Sequence, residues 1–189
     1  SAHTLGYTFY EAVQTLNGSG PNQRGKYKSA YMRKKFPMEQ VQTIYQYLTT
    51  TPPSLDMAQC LLQVDTYGGK INTIASSATA VPQRSSILKL QHQAYWTEAK
   101  DDAGYLKWMN DFYTAVYEET GGTPNPQLDP TQNVDGCYYN YPDSDLNAFG
   151  GLNAALHLYF AGNLKRLKEV KKRWDPANYF NSFQSIPVE

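Results

Sequence analysis

Two segments constrain this chain more than any others. Residues 58–67 (AQCLLQVDTY) and 87–96 (ILKLQHQAYW) alternate polar and apolar side chains with the period of two that a half-buried strand requires. In the first, Gln63, Asp65 and Tyr67 share one face and Leu62, Val64 and Thr66 the other. In the second, Lys89, Gln91 and Gln93 oppose Leu88, Leu90 and His92. Strands of this kind need apolar cover on one side only. The cover is present as helix-period segments. Pro37 opens 38–49 (MEQVQTIYQYLT), with Val41, Ile44, Tyr45 and Leu48 on one stripe, and 98–119 carries Tyr105, Trp108, Met109, Phe112 and Val116. A short helix is expected over 7–17, ending in the turn Asn17 to Pro21, and another over 150–173, broken at Gly162-Asn163. Further strand signals fall at 26–32 (KYKSAYM), at 70–75 (KINTIA) beyond the Gly68-Gly69 turn, and at 136–141 (GCYYNY), with loop over 120–135. About five strands and four helices result. The expected fold class is α+β: an antiparallel or mixed sheet with helices packed on one side.

Composition excludes several functions. Seventeen basic and seventeen acidic residues give zero net charge, which argues against a dedicated nucleic-acid binder and gives no reason to expect an anionic membrane surface. No apolar run approaches the roughly 20 residues of a membrane span. Two cysteines, Cys60 and Cys137, are too few for a disulfide scaffold or a zinc site, and His3, His92 and His157 lack metal-ligand spacing. Whether the cysteines pair depends on their Cα atoms lying within about 7 Å. Tyrosine is the outlier, at 16 residues. Its apolar ring and polar tip suit polar surfaces and sugar-like ligands, and are also common in secreted proteins. The chain starts at Ser1 with neither Met nor a signal peptide, so a processed product or a piece of a longer protein is expected.

If the two polar strand faces coincide, the sheet presents Gln, Asp and Tyr side chains together. Such a face is either solvent-exposed or a wall that recognises hydroxyl groups, since amides and a carboxylate can donate and accept. His92 reads as a structural histidine. The run Lys165, Arg166, Lys168, Lys171, Lys172 and Arg173 reads as a solvated helix end that complements the dipole. Asp143 and Asp145 are either caps of a following turn or part of something more specific.

The second possibility gains weight from the surrounding residues. Tyr138, Asn140, Tyr141, Asp143, Asp145 and Leu146 fill the pattern Tyr-x-Asn-Tyr-x-Asp-x-Asp-Leu. This resembles the C-terminal signature of the berberine-bridge-enzyme-like FAD-linked oxidases, which have the vanillyl-alcohol-oxidase-type fold. The stretches 159–167 (YFAGNLKRL) with Val170-Lys171, 174–180 (WDPANYF) and 184–186 (QSI) match the family's continuation. Upstream, 26–31 (KYKSAY), 67–72 (YGGKIN) and 82–84 (PQR) resemble family segments in the family's order, so the resemblance covers nearly the whole chain.

The resemblance implies that 1–135 is part of a substrate-binding domain whose antiparallel sheet lies over the isoalloxazine ring. It implies that 136–189 carries a flavin-contacting motif and returns through helices to the flavin domain. The FAD-binding domain, with its phosphate loop and its attachment residues, has no match in this sequence. FAD would then be bound mainly by another chain or domain of the same enzyme. The implied reaction moves a hydride to flavin N5 while a base removes a proton, and oxygen leaves as hydrogen peroxide. Tyr141 matches the family's catalytic tyrosine. A tyrosine has an ordinary pKa of about 10 and needs help to act as a base. Asp65 is the candidate eventual proton acceptor, although a nearby carboxylate by itself favours the phenol. Gln63 with Asp65 resembles the substrate-site pair of the sugar-oxidising members, and Gln93, or else Gln91, their further glutamine. Tyr138 and Asn140 would approach the flavin, and Tyr67 would line the pocket or serve structure alone. Alkaloid- and cannabinoid-type members carry a glutamate on the strand occupied here by Lys89, Gln91 and Gln93, a departure that favours a hydroxyl-rich substrate. The expectation is a secreted, flavin-dependent oxidase of a carbohydrate or glycosylated compound, nearest in site residues to oligosaccharide and hexose oxidases, inactive as the isolated chain. The alternatives are an oxidase of a non-sugar natural product and a non-catalytic sugar-binding module. No metal, nucleic acid or membrane partner is expected.

Overall fold

The computed structural model describes residues 6–16 and 23–188. The elements in chain order are α1 (Phe9–Leu16), β1 (Arg24–Met32), α2 (Met38–Thr49), β2 (Cys60–Thr66), β3 (Leu88–Trp96), α3 (Asp102–Val116), α4 (Gly151–Phe160) and α5 (Leu164–Trp174). The three strands form one antiparallel sheet in the order β1-β3-β2. The expected turn Asn17 to Pro21 lies outside the described residues.

The core lies on one side of the sheet. Ala30 and Met32 of β1 and Leu90, His92 and Ala94 of β3 face Trp108, Met109, Phe112, Tyr113 and Val116 of α3. Val134, Cys137, Leu146, Leu156 and Leu164 complete the same cluster, so residues on both sides of position 135 share one core. Helix α2 lies against it through Ile44, Tyr47 and Leu48. The expected stripe is therefore rotated: Val41 and Tyr45 are exposed. Near the start of the helix, Gln40 Nε2 donates to the Val116 carbonyl at the end of α3.

Two expected strands are not strands. Residues 70–75 contain a 3-10 turn, Gly69–Thr73. Gly68 and Gly69 both take positive φ, and the Asn72 amide donates to the carbonyls of Arg84 and Ser86, which diverts the segment from the sheet. Residues 136–141 make no strand either. A single bridge joins Met32 to Val134, and Gly136, at φ 80°, then turns the chain so that the Cys137 N–H donates to the Leu158 carbonyl. The long helix expected over 98–119 is α3 flanked by 3-10 turns at Ala99–Asp101 and Glu118–Thr120. The break expected at Gly162-Asn163 is present as the 3-10 turn Ala161–Asn163 between α4 and α5. Both cysteines are free.

His92 is fully buried among the rings of Phe112, Tyr113 and Tyr117, and neither ring nitrogen has a hydrogen-bond partner among the described residues. Desolvation first, and then its cross-strand neighbour Lys28, push its pKa from 6.5 down to about 3. The imidazole is neutral in the fold and takes up a proton more readily when unfolded. Its contribution to stability is therefore complete above pH 6.5 and is lost as pH falls towards about 3. His92→Leu is expected to flatten the loss of stability across that window by an amount on the order of a few kcal/mol. Urea midpoints measured against pH check this, and a parallel acid limb in the variant would refute it.

Candidate active site

The register makes the two polar strand faces coincide. Gln63 stands opposite Gln91 and Asp65 opposite Lys89, while β1 places Tyr27, Ser29 and Tyr31 opposite Gln93, Gln91 and Lys89. All belong to the side of the sheet away from α3. Their side chains form a connected row. Tyr95 OH donates to Gln93 Oε1 at 3.1 Å, Gln93 Nε2 to Gln63 Oε1 at 2.9 Å, and Gln63 Nε2 to Asp65 Oδ1 at 2.9 Å. Asp65 Oδ2 lies 3.1 Å from Lys89 Nζ. The hydrogen bond from Gln63, followed by the Lys89 ammonium, holds the Asp65 carboxyl below its ordinary value, so it stays ionised. Gln91 makes no side-chain hydrogen bond among the described residues.

The tyrosine segment closes over one end of this row. The Tyr138 N–H donates to Ser29 Oγ at 2.9 Å, and the Tyr141 N–H turns back to the Tyr138 carbonyl at 3.0 Å. The Tyr141 ring packs edge-on against Tyr27 (5.4 Å) and Tyr138 (5.0 Å). Lys89 Nζ lies 5.6 Å from the Tyr138 ring centre and 5.9 Å from that of Tyr141, within cation–π range. Asn140 Nδ2 donates to Tyr138 OH at 2.8 Å. Tyr67 leaves the end of β2 and meets the Tyr31 ring at 5.0 Å. Burial and the neighbouring phenols raise Tyr31 far above the usual tyrosine range, so it remains a phenol. Tyr31, Asp65, Tyr67, Arg84, Lys89 and Tyr138 help to line a hollow of about 290 Å³. A larger one, about 450 Å³, lies at the junction of α2 and α3 and holds none of the expected site residues.

Tyr67, Asp65, Gln63, Gln93, Gln91, Tyr138, Asn140 and Tyr141 thus converge on one surface. Four residues extend the expected set. Lys89 links the acidic end of the row to the tyrosines, and Tyr27, Ser29 and Tyr31 carry the tyrosine segment. The period-two alternation of 26–32 already places those three on one face. The arrangement is an open wall of amides and aromatic edges rather than a closed cavity. Amides of this kind can donate to and accept from hydroxyl groups, and aromatic edges can pack against planar rings.

A three-stranded antiparallel sheet backed by helices, with this wall on its free side, defines the class: it is the substrate-domain fold of FAD-linked oxidases. A structure of a glycopeptide hexose oxidase complexed with teicoplanin superposes with a TM-score of 0.77 at 36% identity, covering 89% of this chain and 33% of that one. A structure of a flavoenzyme of caerulomycin biosynthesis superposes with a TM-score of 0.81 at 32% identity, covering 94% and 36%. In sequence, the hexose oxidase of Chondrus crispus is 53% identical over 193 residues, covering 98% of this chain and 35% of that protein. Residues 137–187 match the family described as berberine and berberine like. The chain belongs to the berberine-bridge-enzyme-like family and spans about a third of the length of the relatives it matches.

Proposed function

We propose that this chain is the substrate-side portion of a flavin-dependent oxidase that oxidises an alcohol carbon of a carbohydrate or glycosylated compound and reduces oxygen to hydrogen peroxide. One observation carries the reading: the β2–β3 register puts Gln63, Gln93, Asp65 and Lys89 in a single row that ends under Tyr141. FAD, held mainly by other parts of the protein, would supply the hydride acceptor. Tyr138, half-buried, and Asn140, exposed beside it, would border its ring. Tyr141 takes the substrate hydroxyl proton. Tyr141 does so as the tyrosinate and becomes the phenol; Lys89 faces the ring that carries the negative charge before the proton arrives, and stabilises that charge electrostatically. Asp65, fixed as a carboxylate, holds Lys89 in place and stands ready to receive the proton afterwards. Gln63 and Gln93, and Gln91 beside them, orient the other hydroxyls of the sugar.

The test is a panel of neutral mono- and oligosaccharides offered to the full-length protein with a peroxide readout. Peroxide from sugars supports the reading. Turnover confined to non-sugar alcohols, or binding of sugars without turnover, would overturn it. A variant sharpens the result. Gln93→Leu removes one substrate-facing amide and also frees Gln63 and Tyr95, so KM is expected to rise about tenfold with kcat little changed.

A further inference from the structure

The segment that bears Tyr141 does not simply rest on the sheet; it crosses the edge of β1. Tyr138 and Tyr141 lie on the open side, bonded to Ser29 and packed on Tyr27. Asp143 and Asp145 follow at once and lie on the opposite side of the same strand. There they meet Lys26 and Lys28, which alternate with Tyr27 and Ser29 along β1. The four charges form a closed set. Lys26 Nζ lies 2.7 Å from Asp143 and 2.8 Å from Asp145, and Lys28 Nζ lies 2.7 Å and 2.9 Å from the same two carboxylates. The side chains of Lys28 and Asp143 are each 2% exposed, whereas those of Lys26 and Asp145 are 15% and 34% exposed. Burial works against the Asp145 carboxylate, but the hydrogen bonds from Lys26 and Lys28 outweigh it and hold the pKa at about 2. Two more bonds fix the Asp143 backbone: its N–H donates to Tyr159 OH at 2.9 Å, and its carbonyl accepts from Gln184 Nε2 at 2.7 Å.

The geometry points to a positioning role for this four-charge cluster: Lys26, Lys28, Asp143 and Asp145 clamp the tyrosine segment across β1 and so set where the Tyr141 hydroxyl stands above the wall. The role rests on the proposed oxidation. None of the four reaches the open face, so they act on the chemistry only through the segment they hold. A plain hydrophobic contact would also retain the segment. The ion pairs are directional: Asp143 meets Lys26 through Oδ1 and Lys28 through Oδ2, and Asp145 Oδ2 bridges both ammonium groups, which narrows the placements open to the segment. Displacement of a reacting group by about 1 Å can slow a reaction on the order of a hundredfold while substrate binding, made by the amides of β2 and β3, persists.

The experiment uses the full-length flavoprotein with Lys26→Met and Asp145→Asn, the two partly exposed members. Lys28→Met is added, but removing a deeply buried partner can abolish folding, so the first two decide. Two quantities are read: the anaerobic rate of flavin reduction against sugar concentration, and the ¹⁹F spectrum of 3-fluorotyrosine placed at position 141. Expected are a fall of about 10- to 100-fold in the limiting rate with the half-saturating sugar concentration changed less than about twofold, together with a shifted or split ¹⁹F line. Reduction at the parent rate, or an unchanged ¹⁹F line, would overturn the positioning role. Loss of flavin together with a parallel loss of sugar binding would reduce the cluster to a general stabiliser and also overturn it. Tyr141→Phe run alongside separates the two levels. If it too reduces at the parent rate, the assignment of Tyr141 fails rather than the clamp.

Discussion

Tyr141→Phe is expected to slow substrate oxidation by about 10²- to 10⁴-fold in the full-length protein, with little change in fold or substrate binding. The substitution removes one oxygen and leaves the ring. The ring is what the surrounding structure uses, through edge-on contacts to Tyr27 and Tyr138 and the nearby Lys89 ammonium. The hydroxyl makes no hydrogen bond among the described residues, so it remains available to a substrate. Tyr138 differs, because its hydroxyl already accepts from Asn140. The measurement is the limiting rate of anaerobic reduction by a sugar that yields peroxide. A rate within threefold of the parent would move the base elsewhere, and Tyr138→Phe would be the next variant to examine.

Gly136→Ala is expected to lower stability by about 3 kcal/mol or more, enough to leave little folded protein if the parent is marginal. Gly136 sits at φ 80°, where a side chain costs roughly 1–2 kcal/mol in any surroundings. The larger penalty is steric. A Cβ there would lie 2.1 Å from the Leu158 carbonyl oxygen and 3.1 Å from its carbon. That carbonyl cannot retreat, since it accepts from the Cys137 N–H at 2.8 Å and lies within reach of Gln83 Nε2. Gly136 is itself pinned on both sides: its N–H donates to the Pro124 carbonyl and its carbonyl accepts from the Tyr31 N–H. Gly69→Ala is the control, at φ 64° with nothing within 4 Å of the added carbon. It should cost only the backbone preference, about 1–2 kcal/mol. Denaturant midpoints compare the two. Equal losses would mean that the approach to Leu158 relaxes at no cost. Because Gly136 stands two residues before Tyr138, the same close packing decides where the tyrosine segment begins.

The legible parts of the molecule were those governed by near neighbours. The alternation in 58–67 and 87–96 is a local property of extended backbone, so Gln63 and Asp65, and Lys89, Gln91 and Gln93, could be assigned to faces without tertiary information. Helices α2, α3 and α4 were legible for the same reason, through apolar spacing and the Gly162-Asn163 break. The failures have long-range causes. Residues 70–75 have strand composition, but Asn72 finds carbonyls 12 and 14 residues away and coils the segment instead. Residues 136–141 have it too, but Gly136 commits the backbone to Leu158. Val41 and Tyr45 belong to a helical stripe by spacing, yet α2 meets the core through Ile44, Tyr47 and Leu48, which leaves them facing outwards.

Sequence alone therefore determined which side chains point together along each strand, and that amides, a carboxylate and a cluster of tyrosines were available. Only the tertiary structure decided that β3 lies between β1 and β2, which brings the two polar faces together and slots Lys89 between Asp65 and the tyrosines. It also decided that the segment after Tyr141 crosses β1 to reach Lys26, 117 residues from Asp143. The reason is physical: facing is set by local backbone geometry, whereas strand order and the pairing of buried charges are set by which distant segments can satisfy each other at once.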